Sequence, residues 1–374
     1  MQAKNKKIGF RGVVKYALFA SNLLAILFLL LSSLAWKVSP LKTNLFSYIG
    51  LGFGITLFVN ILYLIGWTVF YKWKPALVCI VALLICYKPI LTFFPMCLFP
   101  KRVPENSIQI LSYNVQGFIN EYKKNAPKRP ALQFIASTNA DIVCLQEYFV
   151  SKTGQSFISQ RDINRILNKY PYQSVTRLAS SGKYHTFGLA CFSKYPIENT
   201  QEVVFESSFN GAAIYTIDIN GKKYSVANVH LQTNQITAED KKLYADFLQN
   251  NDSVKLDAVT TNIRHRLGKA YRQRVKQVQK IKNQIDDHSN DGVILCGDFN
   301  DTPISYAYYQ MKRGLIDAYA TTNFGPGITY HQDLFLFRID YIMHSLNIDS
   351  YKTHVHKVKY SDHYPISAYL KLPE

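Results

Sequence analysis

The order of apolar and polar positions divides the chain in two. Tyr16–Trp36 is a run of 21 residues without a charge, bounded by Lys15 and Lys37. At about 1.5 Å per residue, a helix of this length spans a hydrocarbon core of ~30 Å. Leu45–Tyr71 is a second uncharged stretch, long enough to span with tilt, and it closes on Trp67, Tyr71 and Trp73, which suit a headgroup interface. Gly50, Gly52, Gly54 and Gly66 let neighbouring helices approach closely. A third apolar segment runs from Ala76 to about Phe94 and is interrupted by Lys88-Pro89. It reads as a third span, with a short interfacial segment as the alternative.

Beyond residue 100 the period changes. Short apolar, β-rich runs recur at Ile108–Tyr113, Ile142–Leu145, Gly188–Ser193, Ala212–Ile219, Lys223–His230, Val293–Cys296, Ile339–Met343 and Pro365–Leu370. Ala131–Ser137 and Arg161–Asn168 read as helices between them. Val259–Ile285 is the longest helix, with Ile263, Leu267, Ala270, Val278, Ile281 and Ile285 on one apolar stripe. Arg264, Arg266, Lys269, Arg272, Lys276, Lys280 and Lys282 occupy much of its remaining surface, which reads as a solvated face. Gln232–Asp257 and Thr321–Phe337 read as loops or mixed connections. Ile219-Asn-Gly-Lys222 is a hairpin signal. Hairpins together with αβ units predict an α/β sandwich with mixed sheets.

Charge sharpens the boundary. The 374 residues carry a formal net charge of +18, yet residues 1–100 hold ten Lys or Arg and no Asp or Glu. All nine His lie beyond residue 100. A uniform soluble globule is excluded by that split, and a disordered chain by a 48% hydrophobic content. Residues 1–100 are therefore expected to form a membrane anchor, with three helices at about 16–36, 45–71 and 76–94, and residues 101–374 one catalytic domain. Seven basic residues on the N-terminal side of the spans against four on the other place the N-terminus in the cytoplasm. Three crossings then put the catalytic domain outside the cytoplasm, in the periplasm if the source is Gram-negative. The spans offer Lys88 as their ionisable group, so no ion relay is visible and an anchor is the simpler reading. Cys144, Cys191 and Cys296 lie within apolar strand runs and read as buried thiols.

Polar residues gather at the ends of the strand runs, where a sheet edge can present them together. They are Asn114, Glu147, His230, Asp298 with Asn300, Asp340, and Asp362 with His363. Carboxylates, amides and imidazoles in this mixture suit a hard divalent cation and an anionic substrate. A zinc site would draw on Cys, and the Cys here stand elsewhere. His354-x-His356 reads as an exposed strand face, Asp301 as a turn residue, and His185 as a residue of the Gly- and Ser-containing loop before a core strand, with substrate-rim contact as the lesser alternative. Asp317 and Asp333 carry no motif.

The segments LSYNVQGF (111–118), DIVCLQEY (141–148), GLACFSKYPI (188–197), VANVHLQT (226–233), GVILCGDFNDTP (292–303), RIDYIMHS (338–345) and YSDHYPISAYL (360–370) occur in one order. In that order, residues 106–372 resemble the endonuclease/exonuclease/phosphatase superfamily with its deoxyribonuclease-I-like fold. The resemblance implies a four-layer α/β/β/α sandwich and Mg²⁺-dependent cleavage of phosphate esters, with Mn²⁺ as a substitute. It implies that Glu147 is the main metal-ligand carboxylate, that Asn114 positions metal or phosphate, and that Asp362 is a second metal-proximal carboxylate. Asp298 would orient or deprotonate the attacking water, and Asn300 would hold a nonbridging phosphate oxygen. His230 and His363 would donate to the phosphate, and Asp340 would pair with His363. Gln116 stands where some base-excision nucleases carry an acid, which weakens a DNA-repair reading. The expected activity is a membrane-anchored phosphodiesterase of nuclease type, with a phospholipid or other small-molecule phosphoesterase as the alternative. A non-catalytic binding module is the third reading. The expected partners are a nucleic acid or phospholipid substrate and the membrane itself, and no protein partner is inferable.

Overall fold

The computed structural model describes residues 10–99, 101–121, 129–151, 158–179, 185–206, 209–234, 253–286, 290–332 and 336–373. The basic residues Lys4, Lys6 and Lys7, most of the predicted 232–257 connection, and Asp333 lie outside them. Two compact units result, one built from residues 1–93 with a short piece at 304–306, the other from the rest.

The first unit is helical: α1 (Phe10–Ser33), α2 (Leu45–Leu51), α3 (Phe53–Val69), α4 (Trp73–Ile85) and α5 (Tyr87–Phe93). Within α1, Gly12–Ser33 is long and apolar enough to cross a membrane, and each of the pairs α2–α3 and α4–α5 is so when taken together. The pairs bend by 60° and 69°. The second bend falls at Cys86, ahead of the predicted Lys88-Pro89 interruption. Pro89 lies in the first turn of α5, where its missing N–H is tolerated, and its ring disfavours a helical carbonyl four residues earlier at Ile85. Polar side chains tie α1 to α3: Trp67 Nε1 donates to Asn22 Oδ1 at 3.0 Å, and Asn60 Nδ2 to the Ala25 carbonyl at 3.0 Å. Of the four glycines, Gly50 and Gly54 sit where a Cβ would lie 2.5 Å from Ala35 and 2.8 Å from Phe93, while Gly66 faces open space.

The second unit holds two six-stranded mixed sheets. One runs β11-β12-β1-β2-β4-β3, with β1 Ile108–Asn114, β2 Ile142–Ser151, β3 Tyr172–Ala179, β4 His185–Ser193, β11 Asp349–Val355 and β12 Ile366–Lys371. The other runs β5-β6-β7-β8-β10-β9, with β5 Ile197–Val204, β6 Gly211–Ile219, β7 Lys222–His230, β8 Gly292–Asp298, β9 Leu315–Asp317 and β10 Asp340–Ser345. β1 pairs β2 in parallel and β7 pairs β8 in parallel; the remaining pairs are antiparallel.

Alternate residues of each strand enter different cores. Ile108, Ile110, Cys144 and Cys191 of one sheet meet Tyr215, Val226, Ile294 and Cys296 of the other between the sheets. Leu111, Tyr113, Val143 and Leu145 face outward under α6 (Pro130–Thr138) and α7 (Gln160–Ile166). Ala227, Val229, Leu295 and Met343 face outward under α8 (Ser253–Asp286) and α9 (Tyr306–Lys312), through Val278, Ile281, Ile285, Tyr308 and Met311. A sheet covered on both faces needs apolar residues at successive positions, which is why these strands read as continuous apolar runs. The result is the expected four-layer α/β/β/α sandwich. All six cysteines are free thiols.

The β6–β7 turn forms as predicted. Asn220 (φ 57°) and Gly221 (φ 84°) both take the left-handed region that a two-residue hairpin of this hand demands. The region read as loop after Thr321 begins with the last residues of a short helix, α10 (Ala318–Thr322), capped by Asp317.

Candidate active site

The C-terminal ends of the parallel pairs β1–β2 and β7–β8 lie at one edge of the sandwich, and the predicted residues stand there. Asn114 and His230 are the last residues of β1 and β7, Asp298 the last of β8, and Asp340 the first of β10. Glu147 sits in a β-bulge of β2, where the pairing with β4 slips between Leu145 and Tyr148. Its φ of 51° is left-handed, a conformation that costs a non-glycine residue about 1–2 kcal/mol. A bulge re-aims side chains, and this one turns the carboxylate toward the edge. Gly297 (φ 140°) precedes Asp298, and a Cβ there would lie 1.9 Å from the Val229 carbonyl oxygen, so only glycine permits this approach of β8 to β7.

The side chains converge on Asp298 Oδ2. Asn114 Nδ2 donates to it at 2.9 Å and to Glu147 Oε1 at 3.2 Å. Asn300 Nδ2 donates to it at 3.2 Å. The Nε2 atoms of His230 and His363 each lie 3.7 Å away. His363 Nδ1 donates to Asp340 Oδ2 at 2.9 Å. His230 Nδ1 lies 3.2 Å from the Phe209 carbonyl, which can only accept, so that nitrogen carries the proton. Asp362 is held by Ser361 Oγ at 3.1 Å and acts on Glu147 through its charge. Seven of the eight predicted residues are thus joined by contacts, with Asp362 at their margin.

Burial sets the proton affinities. It lifts Asp298 to about 6 against the pull of His363 and His230, with Asp340 adding to the rise. It lifts Glu147 as well, opposed by His363. Burial pulls His230 down. Burial alone would also lower His363, but Asp340 and Asp298 together hold it well above the ordinary imidazole range.

The donor set fits a divalent cation. His230 Nε2 is buried without a hydrogen-bond partner and faces carboxylate oxygens of Glu147 and Asp298 at 3.6 and 3.7 Å. Asp340 Oδ1 is likewise buried without one. One ligand atom each from Asp298, Asp340 and His363 lies within 4.8 Å of the others. Two of those three are engaged with each other, whereas the Glu147 side chain is 26% exposed and open to a hydrated ion.

A model of the Endonuclease/Exonuclease/phosphatase family matches residues 111–363. The chain belongs to that family. Endonuclease/exonuclease/phosphatase proteins are divalent-metal hydrolases of phosphate esters, and the ordered motifs of this chain fall within the matched span except for the end of the last, beyond His363. A second model, a Domain of unknown function (DUF8431), matches residues 15–93. No curated protein matches the chain. Solved structures share its fold. An endonuclease/exonuclease/phosphatase family protein from Leptotrichia buccalis is 18% identical, covering 71% of this chain and 100% of that one, with a TM-score of 0.50. One from Bacteroides vulgatus is 18% identical over 72% of this chain and 100% of its own, with a TM-score of 0.50. One from Beutenbergia cavernae is 16% identical over 73% and 72%, also at 0.50.

Other residues fall differently. Asp301 is in a turn, as expected, but it is also buried in an ion pair with Arg274 at 2.9 Å. Asp317 pairs with Arg338 at 2.8 Å in the interior. His354 is exposed on β11, but His356 lies past the strand end and turns inward, with Nε2 2.8 Å from Ser367 Oγ. The His185 side chain lies outside the described residues. Sequence reading gave no role to the Gln146–Asn228 contact. Gln146 Nε2 donates to Asn228 Oδ1 at 2.7 Å and to Ser112 Oγ at 3.1 Å, joining the sheets directly beneath Glu147. The available signal was an amide in the middle of each of two apolar runs.

Proposed function

We propose that residues 101–374 are a divalent-metal-dependent phosphodiesterase of nuclease type, held at a membrane by the apolar helices of residues 1–100. The observation that carries this reading is the convergence of Asn114, Glu147, His230, Asn300 and His363 on Asp298, with Asp340 behind His363. Phosphoryl transfer is accelerated mainly by positioning and charge stabilisation, and this cluster offers both. When bound, Mg²⁺ supplies Lewis-acid charge that offsets negative charge building on the phosphate.

Glu147 is the residue that would hold the ion, with Asn114 and Asp362 beside it. Asp298 orients the attacking water and accepts its proton. Asn300 Nδ2 steadies a nonbridging oxygen. His363, kept protonated by Asp340, donates from Nε2 to the phosphate, while His230, its Nδ1 proton held by the Phe209 carbonyl, faces the Glu147 and Asp298 carboxylates with Nε2. One observation favours a phospholipid substrate as a second reading. Ile55, Phe58, Leu62, Ile65 and Val69 form an exposed apolar stripe on α3, suited to lipid contact. That would place the catalytic domain near headgroups.

The deciding experiment is a substrate panel of single- and double-stranded DNA, RNA, phospholipids and bis-p-nitrophenyl phosphate, with Mg²⁺ and with EDTA. Hydrolysis should require the metal and should fall about 10²–10⁴-fold in His363→Ala. Glu147→Ala should lose the metal response. Activity that survives both substitutions unchanged would overturn the assignment.

A further inference from the structure

Among the described cations of α8, Arg266 and Lys282 are half-buried and the rest divide in two. Arg264, Lys269, Arg272, Lys276 and Lys280 are exposed. Arg274 is 0% exposed and is the largest fully buried side chain among the described residues. It occupies the stripe of α8 that faces the sheet, one turn from Ala270 and Val278, where a cation is out of place by hydrophobic pattern. Removing a guanidinium from water costs several kcal/mol unless its donors are met, so what meets them is informative.

Apart from the Tyr271 ring on α8 itself, 5.2 Å from the guanidinium, the partners come from two segments of the candidate active site. Arg274 Nη1 lies 2.9 Å from Asp301 Oδ2 in an ion pair that lacks hydrogen-bond alignment, and Asp301 directly follows Asn300. Its Nε donates to the Gln232 carbonyl at 2.7 Å, and another guanidinium nitrogen donates to Asn234 Oδ1. Gln232 lies two residues beyond His230. One turn further along α8, Gln277 Oε1 accepts the Gln232 N–H at 2.9 Å. The helix therefore holds both backbone polar groups of Gln232. The two segments also touch each other: Leu231 N donates to the Asp298 carbonyl at 2.9 Å, and Asn300 Nδ2 donates to the Leu231 carbonyl at 3.1 Å.

We propose that Arg274 is a positioning residue. Its planar fork, assisted by Gln277, locks the segment after His230 to the segment carrying Asp298 and Asn300, so that these groups face one phosphate. It acts through the backbone and touches no substrate. A lysine delivers a point charge without the fork and cannot span both segments. The catalytic part of this inference rests on the phosphodiesterase reading; the clamp itself does not.

The test uses the full-length chain in detergent and three variants. Arg274→Lys keeps the charge, Arg274→Gln with Asp301→Asn removes both buried charges together, and Lys276→Ala changes an exposed neighbour. Measured are Tm, kcat and KM for bis-p-nitrophenyl phosphate with Mg²⁺, and amide hydrogen exchange across 229–234. Arg274→Lys should keep its cooperative melt, lose about 10²-fold in kcat as expected for a misplacement of roughly 1 Å, and hold KM within about twofold. Exchange at Leu231 and Gln232 should rise while the central strands stay protected. The paired variant should behave alike, and Lys276→Ala like the wild type. Should Arg274→Lys not fold, the paired variant decides by the same readouts. Unchanged kcat in a variant whose Gln232 exchange has risen would overturn the catalytic part. Unchanged exchange at Gln232, or a rise spread evenly over the whole domain, would overturn the clamp. A wild-type chain that hydrolyses nothing with Mg²⁺ would sink the phosphodiesterase reading and the catalytic part with it, while hydrogen exchange still decides the clamp.

Discussion

At the scale of single residues, the site is organised by one oxygen, Asp298 Oδ2, which meets two amides and faces two imidazoles. Burial raises this carboxyl to about 6, with His363 pulling the other way. A mechanism that needs it ionised should slow as pH falls through about 6. Proton and metal compete for the same cluster, so the acid limb should move to lower pH as Mg²⁺ is raised. The alkaline limb should follow His363, which Asp340 and Asp298 hold protonated well above its ordinary range against the effect of burial. Asp340→Asn removes one of those charges. It should pull the alkaline limb to lower pH and reduce kcat by about 10²–10⁴-fold. A pH–rate profile at several metal concentrations checks both limbs. An acid limb indifferent to Mg²⁺ would mean that Asp298 and the metal do not share a site. The eight candidate residues could be picked from the sequence because each stands at or near the end of an apolar run, and contacts join seven of them in the structure. Arg274 was not, because a cation on a helix reads as solvated until its partners are seen.

At the scale of elements, the eight predicted strand runs correspond to β1, β2, β4, β6, β7, β8, β10 and β12. The four outside those runs are β3, β5, β9 and β11, the edges of the two sheets, and of these β11 alone was read as strand, at His354. An interior strand buried on both faces must be apolar along its length. An edge strand pairs on one side and carries polar residues at most positions, as the exposed positions of β3 and β5 do. The interior parallel pair β7–β8 sets the site through Gly297. Gly297→Ala would force a Cβ to within 1.9 Å of the Val229 carbonyl oxygen at a φ of 140°. It should cost roughly 3 kcal/mol or more, seen as a lower midpoint in thermal or denaturant melts. A variant with an unchanged midpoint would show that β7 and β8 can separate without penalty.

At the scale of the whole molecule, no Asp or Glu stands before position 101, and the first compact unit draws on residues 1–93 with 304–306. One helix, or three spans if each bent pair counts as one, meets the length and apolarity that a membrane demands. The chain should therefore stay with the membrane pellet after alkaline carbonate washing and enter solution with detergent. Release by carbonate alone would remove the anchor. If three spans form, a compartment-dependent reporter fused after Glu374 should report from outside the cytoplasm. A cytoplasmic signal would mean an even number of crossings.

The sequence by itself determined where the uncharged apolar segments give way to short strand runs, the interior strands, and which polar residues stand at their ends. These follow from local rules: apolar run length, strand burial, and polar residues placed where a run stops. Only the tertiary structure decided that Asp298 is the shared partner, that Glu147 is re-aimed by a bulge, and that Arg274 leaves the basic face of its helix for the interior. Each depends on groups distant in sequence, such as Asn114 on Asp298 or Arg274 on Asp301. Burial raises the energy of an unpartnered polar group, so pairing and position become determinate only once the layers close around them.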